Sequence, residues 1–387
     1  MANFKISDAV TYVGVDDKDI DLFESQYDVP NGMAYNSYII FDEKIAVMDS
    51  VDKRKTDEWL ENVAAALDGK TPDYLVIDHV EPDHSGSILA LSEKYPDMKL
   101  VGNAKTFVML SQFFDGVSFD DKKIEVKEND ELSLGSHTLT FIMAPMVHWP
   151  EVMVTFEKSE GLLFAADAFG KFGTLDTDED WACEARRYYF NIVGKYGMQV
   201  QGLLKKAAAL DIKKILPLHG PILDKDLGYY IGKYQTWSSY TPEDKGITIA
   251  YASVHGNTAN AAKELAKMLE DKGAEKVSLF DLSRDDIAEA VEDAFRYDRL
   301  VLMASSYDAG VFPPMEYFLL KLKAKTYRSR KVAIVENGSW APSAGRVIKS
   351  YIDELKDITL IEPVITIKSS LNAATRAQLE ELANKLV

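Results

Sequence analysis

The chain has 387 residues, 47% hydrophobic and 27% charged, which is enough apolar content for real cores and too much length for one ordinary domain. Its 62 acidic and 44 basic residues leave a formal charge of −18, which repels nucleic-acid backbones and anionic lipid and disfavours both as partners. The lone cysteine, Cys183, excludes intrachain disulfides and Cys-ligated zinc, iron–sulfur or rubredoxin-type centres, so any metal must be held by His and carboxylates.

At the start of the chain, Met1-Ala2-Asn3-Phe4-Lys5 lacks the basic start and apolar run of a secretory leader, and no later stretch nears the ~18 apolar residues of a membrane span. A cytoplasmic protein is expected. Short strand-like runs follow at Ser37–Phe41, Lys44–Met48, Tyr74–Ile77, Thr138–Met143, Val152–Phe156 and Leu162–Ala165. Helical stretches at Lys55–Leu67, Ser87–Lys94 and Gln199–Leu210 interleave with them, which predicts an α/β sandwich with mixed sheets over residues 1–245. Residues 241–246, Thr-Pro-Glu-Asp-Lys-Gly, read as a linker. Beyond it, residues 246–387 alternate regularly. Strands are expected at Ile247–Ala252, Lys276–Phe280, Leu300–Ser305, Val332–Glu336 and Thr359–Ile367, each followed by a helix, which predicts a doubly wound five-stranded parallel sheet.

The densest chemistry lies in Asp78-His79-Val80-Glu81-Pro82-Asp83-His84-Ser85-Gly86, after the strand Tyr74–Ile77 and before a helix expected near Ser85. Residues 79, 81 and 83 share the parity of an extended chain, so their side chains are expected to converge, with His84 turning at the helix start. Four ligand-type side chains in six residues are costly to bury unpaired. His148, Asp167 and His219 each follow a strand-like run and add three more candidates; alone, each is more often a structural polar residue. Seven ligands with three carboxylates and no thiolate suit a pair of iron or manganese ions, without excluding zinc. His137, in a turn-to-strand context, reads as structural.

A second constellation lies on three loops of the C-terminal half. Ser253-Val254-His255-Gly256-Asn257-Thr258 forms the first βα turn, where backbone N–H groups, hydroxyls and a helix N-terminus favour phosphate. Ser305, Tyr307, Asp308 and Gly310 follow the third strand, and Asn337, Gly338, Ser339 and Trp340 the fourth, with Tyr307 and Trp340 placed to flank a flat ring. The three loops resemble flavodoxin, which implies FMN; no Gly-x-Gly-x-x-Gly fingerprint follows a strand, so a nicotinamide dinucleotide is disfavoured.

His79-x-Glu81-x-Asp83-His84 with His148, Asp167 and His219 resembles the ligand series of the metallo-β-lactamase fold, except that Glu81 stands where that series usually has His. Together with the flavodoxin-like half, this resembles the flavodiiron proteins along essentially the whole chain. The resemblance implies an N-terminal αββα sandwich holding two iron ions. His79, Glu81 and His148 would hold one, Asp83 and His219 the other, Asp167 would bridge, and His84 would lie near the second iron with its coordination open. It also implies reduction of dioxygen to water, nitric oxide to nitrous oxide, or both; two Fe(II) and a reduced FMN carry the four electrons that dioxygen needs. An external electron donor follows from the same resemblance, rubredoxin or a reduced deazaflavin coenzyme, as does a head-to-tail homodimer or dimer of dimers. Tyr196 matches a pocket tyrosine able to donate a proton, whereas Glu24 stands where several members carry a pocket histidine, which leaves the choice of gas open. Two other readings compete: a zinc-dependent hydrolase with an accessory flavodoxin domain, which Glu81 disfavours, and a plain flavin electron carrier, for which the extra ligands are superfluous.

Overall fold

The computed structural model describes residues 3–387, so Met1 and Ala2, at the head of the segment read for a leader, lie outside it. It forms two compact units: one runs to Tyr188 and takes up Met198–Gln235, and the other comprises Tyr189–Gly197 and Thr236–Val387. Among the described residues, no helix is long and apolar enough to cross a membrane.

In the first unit two sheets face each other. The larger runs, in spatial order, Phe4–Lys5, Val10–Tyr12, Tyr38–Ile40, Ala46–Met48, Tyr74–Val76, Lys99–Gly102 and Lys123–Glu125; the smaller runs Glu131–Ser133, Thr138–Met143, Met153–Glu157, Leu162–Phe164 and Lys214–Leu216. Both mix parallel and antiparallel pairs. Alternation sorts the side chains: Leu139 and Phe141, Leu162 and Phe164, and Leu216 turn inward against Val10, Tyr38, Met48, Val76 and Val101 of the facing sheet. Trp59, Val63 and Leu67 of helix Thr56–Leu67 are its buried stripe, at the i, i+4, i+8 spacing of one helical face.

The second unit is built on a parallel sheet whose strands lie in the order Val277–Asp281, Asp244–Ala252, Tyr297–Tyr307, Lys331–Asn337 and Thr359–Ile367, which is 2-1-3-4-5 in chain order. A short antiparallel strand, Gly310–Val311, folds back on the third. The first strand starts at Asp244, inside the segment read as a linker, and residues 236–245 and 189–197 pack with this unit. Aromatic packing accounts for it. Phe190 stacks on Phe295 at 4.3 Å, Trp237 lies 5.5 Å from Tyr189, and the buried Arg330 guanidinium donates to the carbonyl of Tyr240 at 2.6 Å.

Candidate metal centre and cofactor cavity

Strand register delivers the candidate ligands to one end of the sandwich. Phe164 pairs with Leu216 in a parallel ladder, and Asp167 and His219 each lie three residues beyond that pair. His79 lies three residues beyond Val76, the last paired residue of its own strand. His148 comes from the loop joining Thr138–Met143 to Met153–Glu157. The 78–86 segment departs from the expected extended parity. Pro82 takes the first position of a helix Pro82–Ser85, three residues before the expected start, because its missing N–H and fixed φ suit a helix N-terminus. Asp83 is therefore helical and points apart from His79 and Glu81, so the cluster divides in two. His79, Glu81, His148 and Asp167 form one group able to hold a metal, and Asp83, His84 and His219 form the other; within each, the donor atoms lie within 4.8 Å of one another.

The hydrogen bonds fix which nitrogen of two imidazoles points inward. His79 donates from Nδ1 to Glu151 at 2.7 Å, and His219 donates from Nδ1 to the Ala34 carbonyl at 2.8 Å, which leaves each Nε2 lone pair free for the site. His148 Nε2 lies 3.0 Å from Glu81 and 3.1 Å from Asp167, and His84 Nε2 lies 3.2 Å from Asp167. Asp167 thus faces both groups. His84 and His219 bring their Nε2 atoms within 3.1 Å of each other, and each lies 3.3 Å from Asp83 Oδ2, yet neither Asp83 oxygen has a well-directed donor. Two imidazole nitrogens at that distance repel unless a proton or a cation lies between them. Three carboxylates in a buried space faced by imidazoles are costly without positive charge. The donor set fits two cations.

Burial pushes the Glu81 and Asp167 carboxyls up, but the facing imidazoles outweigh it and hold both below the usual carboxylate range. Burial would lower His148, and its hydrogen bonds to Asp167 and Glu81 reverse that and push it up to about 9. Glu24, on the turn between Leu22–Phe23 and Tyr27–Asp28, is exposed and has φ +48°. Its carboxyl is nonetheless desolvated by neighbouring atoms and close enough to Glu81 to be pushed up to about 7. Cations at the site would pull it back down.

Several residues of this site carry no ligand signature in the sequence. Phe23, Tyr35 and Tyr188 pack around His219 with ring centroids 5.5, 5.8 and 5.5 Å away. Tyr188 is fully buried, and burial together with Asp167, Asp83 and Glu81 pushes its phenol well above the ordinary value, so it stays protonated. Tyr35 and Tyr188 are both brought to the ligands by the first unit itself. Tyr196 belongs to the second unit, in a single turn with the Lys195 ammonium 5.8 Å from its ring. Glu151, three residues after His148, is the other addition. His137 lies apart from the ligands, with Nδ1 2.8 Å from Asp42 and Nε2 3.3 Å from Glu160.

In the second unit a cavity of about 380 Å³ opens at the carboxyl ends of the strands, where doubly wound sheets bind ligands. Val254, His255, Asn257 and Thr258 line it from the first βα turn, Ser305, Tyr307 and Asp308 from the second loop, and Asn337, Gly338, Ser339 and Trp340 from the third. Ser253 and Gly256 serve the turn behind that lining: the Ser253 hydroxyl accepts from the Gly256 N–H at 3.1 Å, and Gly256, at φ +88°, opens helix Asn257–Asp271. Gly310 pairs with Tyr307 in the short hairpin. Ser306, Ser343 and Ser369 also line the cavity and were not among the expected residues. Trp340 is 92% exposed and Tyr307 45%, so both aromatic faces are available to a flat ring. Small hydroxyls at a helix start, amides and two open aromatic rings fit a flavin mononucleotide.

Comparison with known proteins gives two family matches along the chain: an ODP family beta lactamase model over residues 33–220 and a flavodoxin domain model over residues 248–361. An uncharacterised protein of Methanocaldococcus jannaschii is 30% identical, the alignment covering 81% of this chain and 80% of that protein. A nitric oxide reductase of Moorella thermoacetica is 29% identical over 98% of this chain and 97% of its own. Among solved structures, the rubredoxin oxygen:oxidoreductase of Desulfovibrio gigas matches with a TM-score of 0.91 at 25% identity, covering 99% and 97% of the two chains. The flavodiiron protein of Giardia intestinalis matches with a TM-score of 0.92 at 25% identity, covering 100% and 96%.

Proposed function

The chain belongs to the flavodiiron proteins, and we propose on that premise that it reduces nitric oxide to nitrous oxide, dioxygen to water, or both. It is an oxidoreductase whose cofactors are FMN and a non-haem diiron pair. The ligand assignment we propose is His79, Glu81 and His148 on one ion, Asp83 and His219 on the other, and Asp167 shared. The observation that carries the reading is the pair of thiolate-free donor groups that Asp167 faces from between, with Glu81 in place of the histidine usual in hydrolases of this fold. That carboxylate argues against the zinc-hydrolase alternative.

When bound, the two ions supply Lewis acidity and two reducing electrons, and FMN supplies two more. The chain's own residues do the rest. Glu151 and the Ala34 carbonyl hold the His79 and His219 rings in orientation. Phe23, Tyr35 and Tyr188 wall the His219 side against water, and the protonated Tyr188 phenol is the donor we assign to the developing oxyanion. Either gas consumes protons, two for each pair of nitric oxide molecules and four for each dioxygen. One cysteine cannot build a four-thiolate centre within these 387 residues, and rubredoxin is the electron donor we propose. Head-to-tail pairing of two copies would let one copy's flavin serve the other's metals.

Anaerobic stopped-flow mixing of the reduced, iron-loaded protein with each gas tests this. Flavin reoxidation within milliseconds to seconds is expected with at least one gas, with nitrous oxide or water as product. Reoxidation by neither gas, with iron and FMN bound, refutes it.

A further inference from the structure

The flavin cavity holds little positive charge. Among the described residues that line it there is no Lys and no Arg; His255 is the one side chain able to turn cationic, and Asp308, on the loop after Tyr297–Tyr307, adds a carboxylate beside the Tyr307 phenol. The ligand expected there carries a phosphate of about −1.5 to −2 charge at pH 7. It must enter a chain whose formal net charge is −18. The phosphate end of the cavity is marked by chemistry: the Thr258 hydroxyl lies 2.9 Å from that of Ser305, and the N-terminus of helix Asn257–Asp271 opens at Gly256, next to His255. Backbone dipoles and hydroxyls there are neutral. His255 is exposed at this turn and lines the cavity, and its imidazole is the one ring there that a proton can make cationic.

We propose that the His255 imidazolium is the cation of the phosphate subsite, so that FMN is held more tightly when His255 is protonated and more weakly once it is neutral. The proposal rests on the flavin reading above and adds a charge-dependent term to it. Asp308 lines the same cavity from the second loop and adds a negative charge there, against which a cation at His255 would act. Riboflavin, with the same ring and no phosphate, should not feel that term.

The test uses the full chain stripped of flavin and titrated with FMN and with riboflavin at pH 6 and pH 8, following flavin fluorescence. The wild-type preference for FMN over riboflavin should be about fivefold greater at pH 6 than at pH 8, the scale of one partly solvated charge pair. That excess is measured over whatever remains in His255→Gln, which keeps only the phosphate's own ionisation. His255→Lys, charged at both pH values, should show the pH dependence of His255→Gln while preferring FMN over riboflavin more strongly than His255→Gln does. An equal pH dependence of the FMN-to-riboflavin ratio in wild type and His255→Gln overturns the proposal. Should His255→Gln not fold, a His255→Lys protein with the wild-type pH dependence overturns it equally. A wild-type chain that binds neither flavin at either pH refutes the flavin reading itself.

Discussion

Removing Glu151 should loosen the metal centre without touching a ligand. Its Oε1 accepts from His79 Nδ1 at 2.7 Å and from the Val80 N–H at 3.1 Å, and neither the Glu151 nor the His79 side chain has any solvent exposure. A hydrogen bond to a charged acceptor contributes about 1.5–3 kcal/mol. Glu151→Ala strands the His79 Nδ1–H in the interior and frees the ring to turn, and loss of such a supporting partner costs roughly 10–100-fold in metal affinity, about 1.4–2.7 kcal/mol. Glu151→Gln keeps an acceptor oxygen and loses only its charge, so it should stay within about tenfold of wild type. Chelator competition for Fe(II) under anaerobic conditions measures the affinities, and FMN binding to the same samples reports whether the rest of the chain is intact. Glu151→Ala protein that holds Fe(II) within about twofold of wild type would refute the argument, because the His79 orientation would then be set elsewhere.

Partial burial disfavours the His137 imidazolium, yet hydrogen bonds to Asp42 and Glu160 outweigh that and raise its pKa. Its contribution is therefore fully present below the unfolded value near 6.5 and lost as pH rises through the higher folded value. Thermal unfolding should show His137→Gln destabilised by about 1 kcal/mol at pH 6 and by much less at pH 9, and an equal loss at both would contradict the ion-pair account. Arg330, buried, donates to the carbonyls of Tyr297 at 2.8 Å, Tyr240 at 2.6 Å and Arg328 at 3.0 Å, and to that of Phe295. Arg330→Met should destabilise the second unit by about 3 kcal/mol in urea unfolding followed by bound-flavin fluorescence, with an unchanged midpoint as the contrary result. Trp340, 92% exposed at the cavity, packs too little to support the fold, so Trp340→Ala should leave Tm unchanged and weaken FMN about fivefold or more. Equal FMN affinity in the two proteins would remove Trp340 from the flavin site.

The candidate ligands were legible because each breaks a rule of burial where the chain announces a strand end. His148, Asp167 and His219 follow runs of apolar residues, and polar groups at such positions need a partner that local sequence does not supply. The flavodoxin-like sheet was legible for a similar reason, since long buried strands alternate there with helices whose periods differ. The rest was hidden by two physical causes. Strands such as Val10–Tyr12, Val15–Asp17 and Met33–Tyr35 span three residues, too few for any period to show. The walls and supports of the centre are chosen by packing, and packing leaves no local mark. Phe23, Tyr35 and Tyr188 read as ordinary core aromatics, and the role of Glu151 depends on His79, 72 positions away in sequence. Pro82 shows the opposite case, a local signal outweighed by an expected period. Proline at a helix N-terminus is one of the plainer marks in a chain, and it converts one row of ligands into two facing groups. Turned by that helix start, residues 79–84 present His79 and Glu81 to one group and Asp83 and His84 to the other, and His148, Asp167 and His219 from distant strand ends complete the two.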